Sequence, residues 1–162
     1  MSAVAAAVKD ELVRYLLHLA SRVEKAARSL TPEKFWTKPF AFGNSVGHLI
    51  LHLTGNLNHY IGAQIAGSGY VRDRPLEFSD TTRCPPADAL ERFKAAIELV
   101  MRTIEPLDDD GLLVPVKDYD PIQTQFGLLL VCVSHINNHV GQMAYLVQAH
   151  GSSRTSRRCG DG

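Results

Sequence analysis

Seven histidines stand in this 162-residue chain, and five of them fall at spacings that suit metal binding. His135 and His139 lie four apart in Ser134-His135-Ile136-Asn137-Asn138-His139. On a helix of 3.6 residues per turn, such a pair shares one face, one ring above the other, close enough to hold one ion. Neutral imidazole suits zinc, nickel, iron or copper, and two ligands from one rigid helix cost little ordering entropy. A second group, His48, His52 and His59, lies upstream. At 100° per residue His52 falls about 40° from His48 and His59 about 20° from it, so the three share a face. Roughly 16 Å of helical rise separates His48 from His59, too far for one ion to reach both. The spacing supports one of these three joined to the His135/His139 pair, giving three protein ligands and open positions for water or substrate. Angular geometry alone leaves open which of the three it is. An HxxxH pair can also be a polar pair in a core; the second His-x3-His on another helix favours the metal reading. His18 and His150 have no partner pattern and read as ordinary histidines.

Four helical stretches must position these rings. Leu12, Leu16, Leu19, Val23 and Ala26 recur at steps of three and four, predicting a helix from about Ala5 to Ser29. Thr31-Pro32-Glu33 reads as a cap opening one short turn. Asn44 or Ser45 should cap a second helix running to about Ala66, where Gly67-Ser68-Gly69 stops it. Gly47, Gly55 and Gly62 inside it each lower intrinsic helix stability by roughly 1 kcal/mol relative to alanine, which points to close packing. Residues 67 to 84 read as a long connection, of the kind that serves as a crossover or functional loop. A third helix runs from Ala87 to about Glu105 on Leu90, Phe93, Ile97, Val100 and Ile104, and Pro106 ends it. Residues 107 to 123 form another loop, with Leu112 to Val116 as a short extended piece. The last helix should span about Thr124 to His150, with Gly151 as its stop. One helical domain over residues 1–151 is expected, followed by a polar, basic tail over 152–162.

Composition narrows the function classes. Hydrophobic residues make up 45% of the chain and charged residues 21%, which is ordinary for a globular domain. Seventeen basic residues balance seventeen acidic ones, so the positive surface of a general nucleic-acid binder is missing. The longest apolar run, Leu128 to Val133, falls far short of the roughly 20 residues of a membrane span. Val4 to Val8 is too short and too weakly flanked for a secretory signal. Cys84, Cys132 and Cys159 are odd in number and lack CxxC spacing, so no disulfide framework and a cytoplasmic setting are expected. Cys132, within the apolar run, reads as a buried space-filler.

The segment His135-Ile136-Asn137-Asn138-His139-Val140-Gly141-Gln142, continued by Met143-Ala144-Tyr145-Leu146, resembles the last-helix motif of the DinB/YfiT-like metalloenzymes. Ser45-Val46-Gly47-His48-Leu49-Ile50-Leu51-His52-Leu53, running on to Gly67, resembles their second helix. The likeness covers roughly residues 5 to 150 and rests on these two segments. It implies an all-α, four-helix bundle with long crossover connections. It also implies a divalent ion, zinc or nickel foremost, held by one histidine of the second helix and the HxxxH pair of the fourth. Aligned on the distance to Gly67, the single histidine falls on His52, so the resemblance implies a metal set of His52, His135 and His139, with His48 as the runner-up. A homodimer is expected on the same grounds.

Three neutral ligands would leave the ion its full double charge, suiting either hydrolysis or transfer of a metal-held thiolate. Characterised members of the resembling family include thiol-dependent S-transferases and a mycothiol-dependent maleylpyruvate isomerase. The isomerase branch has a carboxylate among its ligands, whereas this chain has His135 and His139. Its activity therefore does not transfer directly. An HExxH-type general base is absent: Ile136 follows His135, and Asn56, Asn58, Asn137, Asn138 and Gln142 nearby are amides. Asp73, Glu77 and Asp118 remain as loop carboxylates that could act as a base. The leading expectation is thus a metal-dependent enzyme of thiol S-transferase type using a low-molecular-weight thiol. A metal-dependent hydrolase and a non-catalytic dimeric scaffold with a structural metal are the alternatives.

Overall fold

The computed structural model describes residues 1–79 and 82–152. Of the basic tail expected over 152–162, residues 153–162, with Cys159, lie outside the described residues. Helix α1 spans Ala3–Arg28, and its buried stripe is Ala5, Leu12, Leu16, Leu19, Val23 and Ala27. The Ser2 hydroxyl caps it by accepting from the Ala5 N–H. A one-turn helix α2, Pro32–Trp36, follows from the Thr31 cap and Pro32. It buries Phe35 and Trp36 against Gly47, where an added Cβ would collide with both rings.

Helix α3, Val46–Leu57, starts on the Ser45 cap. It passes into a π-helical turn over Asn58–Ala63, closed by bonds such as Ala66 N–H to the Ile61 carbonyl. The expected single helix to Ala66 therefore changes its winding after Leu57. Within the long connection stands α4, Leu76–Ser79, packed on α3. Helix α5, Pro86–Ile104, buries Ala89, Phe93, Ala96, Ile97, Val100 and Ile104. Its C-terminal end is tied to α1 by the Lys9 ammonium, which donates to the Glu105 and Leu107 carbonyls.

The segment read as extended at Leu112 to Val116 is in part a short helix, α6, Asp109–Leu113. The Asp108 carboxylate caps it by accepting from the Gly111 N–H, a signal carried by the acidic run itself. Among the described residues, β-type pairing is limited to one isolated bridge between Pro115 and Thr124. Helix α7, Gln125–Ser152, runs past the expected stop at Gly151.

Helices α1 and α3 each pack on both α5 and α7, so the four long helices form a bundle with α1 and α3 across one diagonal. One continuous core joins them, with Leu16, Leu19, Leu53, Ile61, Ile104, Leu129, Ile136 and Met143 almost wholly excluded from solvent. No described helix is long and apolar enough to cross a membrane.

Candidate metal centre

The centre forms where α3 faces α7. Ile136, Val140 and Met143 point α7 into the core, and His135 and His139 occupy the next stripe, half-buried, toward α3. Leu49, Ile50 and Leu53 fix α3 in the same way and bring His52 in from the opposite side. Ring centroids lie 5.0 Å apart for His52 and His135, 5.0 Å for His52 and His139, and 4.5 Å for His135 and His139. A ligating atom from each ring lies within 4.8 Å of the other two. The Nε2 atoms of His52 and His135 are 2.9 Å apart.

The outer nitrogens of two of the rings have partners of their own. His52 Nδ1 lies 2.8 Å from Glu77 Oε2, and His139 Nδ1 lies 2.8 Å from the Gln142 amide oxygen. Both partners are acceptors, and a proton on each Nδ1 with a lone pair on each Nε2 satisfies them; the Arg72 terminal nitrogen also stands 3.2 Å from His52 Nδ1, farther than the carboxylate at 2.8 Å. Glu77 is buried and is itself clamped by Arg72, whose Nε is 2.6 Å from Oε1 and whose terminal nitrogen is 2.9 Å from Oε2. The Phe78 ring lies over His52 at 4.8 Å.

Electrostatics agree with donors ready for a cation. Burial lowers the pKa of all three imidazoles. His135 is taken furthest, to about 4, with His139, His52, Arg72 and Arg74 adding to burial. For His52 burial outweighs the opposing effect of Glu77, and for His139 that of Gln142. At neutral pH the three rings are uncharged, the state a metal requires of imidazole.

His48 and His59 are not brought into the cluster. The His48 Nδ1 pairs with the Ser45 hydroxyl at 2.7 Å and the ring stands edge-on to Trp36, so this histidine belongs to the helix start. His59 lies in the π turn and packs on Tyr60, outside the three-histidine cluster. His18 is exposed, and His150 is buried with Nε2 3.3 Å from the Thr37 carbonyl.

The loop carboxylates divide. Asp73 is exposed and accepts from the Leu76 N–H at the start of α4, and Asp118 is exposed. Glu77 reaches the site but stands behind His52, on the Nδ1 side. Among the described residues no carboxylate joins the three histidines. Of the amides, Asn137 and Asn138 face solvent, while Gln142 holds His139. Asn56, one turn beyond His52, is buried and its Oδ1 has no partner among the described residues.

Comparison with known proteins agrees with this architecture. The family of proteins of unknown function DUF1572 matches residues 4–154. A conserved protein from Enterococcus faecalis shares the fold with a TM-score of 0.73 at 17% identity, over 86% of this chain and 95% of its own. YfiT from Bacillus subtilis superposes with a TM-score of 0.71 at 18% identity, over 88% of this chain and 87% of its own. YfiT is described as a probable metal-dependent hydrolase with an unusual four-helix bundle topology. No curated protein matches the chain.

Proposed function

The chain belongs to the DUF1572 family of proteins of unknown function, built as a DinB/YfiT-like four-helix bundle, and we propose that it is a divalent-metal-dependent enzyme whose ion is held by His52, His135 and His139. One observation carries this reading: acceptors on the outer nitrogens of His52 and His139 leave their Nε2 lone pairs for a common centre shared with His135. Metal-binding histidines are held in this way by an outer acceptor. Zinc and nickel both suit an all-imidazole donor set. A dication on three neutral ligands would acidify a bound water or thiol, and a three-ligand set leaves room for one.

Within that reading, S-transfer from a low-molecular-weight thiol comes first. Such a thiol needs no separate base once acidified, and among the described residues no carboxylate joins the three histidines. A thiol from outside the chain fits best, because burial pushes Cys132 up to about 12 and neither Cys84 nor Cys132 joins the three histidines. Hydrolysis is the second reading, supported by what is said of YfiT. A purely structural metal fits less well, since structural zinc usually closes four protein ligands. We include a homodimer in the proposal, supported by Leu130, Val131 and Tyr145, apolar side chains exposed on α7.

Elemental analysis of purified protein should find close to one zinc or nickel per chain, lost in His139→Ala with the fold intact by circular dichroism. A panel of thiols with electrophiles, run beside ester and amide substrates, then separates transfer from hydrolysis. Wild-type protein that takes up no divalent metal would sink the reading.

A further inference from the structure

The connection between α3 and α5 is built onto His52 residue by residue, in the segment from Arg72 to Phe78. Asp73 accepts from the Leu76 N–H and starts α4. One helical turn then aims Glu77 inward, and its Oε2 meets His52 Nδ1 at 2.8 Å. Arg72, five residues earlier, grips both carboxylate oxygens. Phe78 covers the face of the His52 ring, and the Arg74 guanidinium lies 5.7 Å from the Phe78 ring centre. The helix beneath leaves space for the carboxylate at Gly55, where an added Cβ would fall inside the van der Waals envelope of Glu77 Oε1. A carboxylate, a guanidinium and an imidazole are thus buried together, 7%, 9% and 6% exposed. The carboxylate accepts from both of the others, as a group removed from water must.

We propose that this segment is a positioning strap, in which Glu77, oriented by Arg72, fixes the proton of His52 on Nδ1 and aims Nε2 at His135 and His139. The proposal rests on the metal reading above and assigns Glu77 no contact with substrate. A carboxylate paired with a guanidinium only accepts, so the nitrogen 2.8 Å from it donates; the Arg72 terminal nitrogen, 3.2 Å from that same ring nitrogen, lies closer to the carboxylate at 2.9 Å and donates there. A ring locked in one tautomer and one orientation does not have to be reorganised when an ion arrives. The ionised partner also makes the ring a better donor to a cation. Glu77 thereby passes from candidate base to positioning residue: both of its oxygens are occupied, and His52 lies between it and the shared centre.

The test reads the ring nitrogens and the affinity separately. Histidine-labelled, metal-free wild type should show His52 protonated at Nδ1 in ¹⁵N spectra. Glu77→Ala should give a tautomer mixture and bind zinc 10- to 100-fold more weakly in chelator competition, the usual cost of removing an outer-shell partner. Glu77→Gln, which keeps an acceptor oxygen, should restore part of both. Gly55→Ala retains every polar group and should weaken zinc binding by displacing the carboxylate, which provides a second route if Glu77→Ala does not fold. A wild-type His52 protonated at Nε2 overturns the proposal, as does Glu77→Ala binding zinc within twofold of wild type. In those cases wild-type zinc uptake leaves the metal reading standing. Absence of zinc uptake by wild type itself removes both.

Discussion

An imidazole withdrawn from water resists its proton, and His135 does so most, at about 4 against an ordinary 6.5. The unfolded chain would take up that proton near 6.5, while the folded chain holds off until about 4. Acid therefore favours unfolding. The contribution is whole above about pH 6.5 and is lost as pH falls toward 4, with His52 and His139 acting in the same direction. Thermal melts of chelator-treated protein should show the midpoint declining across that window, and His135→Asn should flatten the decline. A level midpoint in the wild type would count against a neutral His135. The His135/His139 pair was legible from its spacing, because a helix turns four residues into one neighbourhood. His52 was not separable from His48 and His59 by angle, since rotation about an axis says nothing of what lies opposite. Trp36 and Ser45 claim His48, and both stand outside the periodic pattern.

Helix α7 serves two surfaces at once, and the division runs between adjacent residues. Ile136 is fully buried, while His135 beside it turns to the metal cluster. Ile136→Ala should remove core contacts and cost about 2–5 kcal/mol of stability. Denaturant titration would measure that cost, and zinc stoichiometry should remain at one per chain because the ligands keep their helix. Equal loss of stability and stoichiometry would show that the two faces are not separable. The four long helices were readable from apolar steps of three and four, since their buried stripes are long enough to outweigh local exceptions. The π turn at Asn58–Ala63 was not, because one widened turn leaves the hydrophobic pattern on both sides intact. Helix α4 was read as loop for a related reason. Four residues carry no period, and what orders them is a carboxylate meeting a ring from another helix.

Across the whole molecule, the bundle brings α3 and α7 together, and α4 in the α3–α5 connection packs on α3. Exposed apolar side chains on α7 lead us to expect a second copy against that helix. Light scattering on purified protein should give twice the chain mass, and Leu130→Glu with Val131→Glu should halve it; a wild-type monomer at micromolar concentration would count against the pairing. The fold class was legible because four amphipathic stretches have few other ways to bury their stripes. The strap was not, since its partners are far apart in the chain and meet only after the bundle closes. The bare Cα of Gly55 has a consequence for descent. A side chain acquired there would have to push aside the carboxylate that occupies the space. Glycine and glutamate at these two positions should therefore be inherited as a pair. Two letters of sequence would then tell, in any relative, whether its histidine is still held from behind.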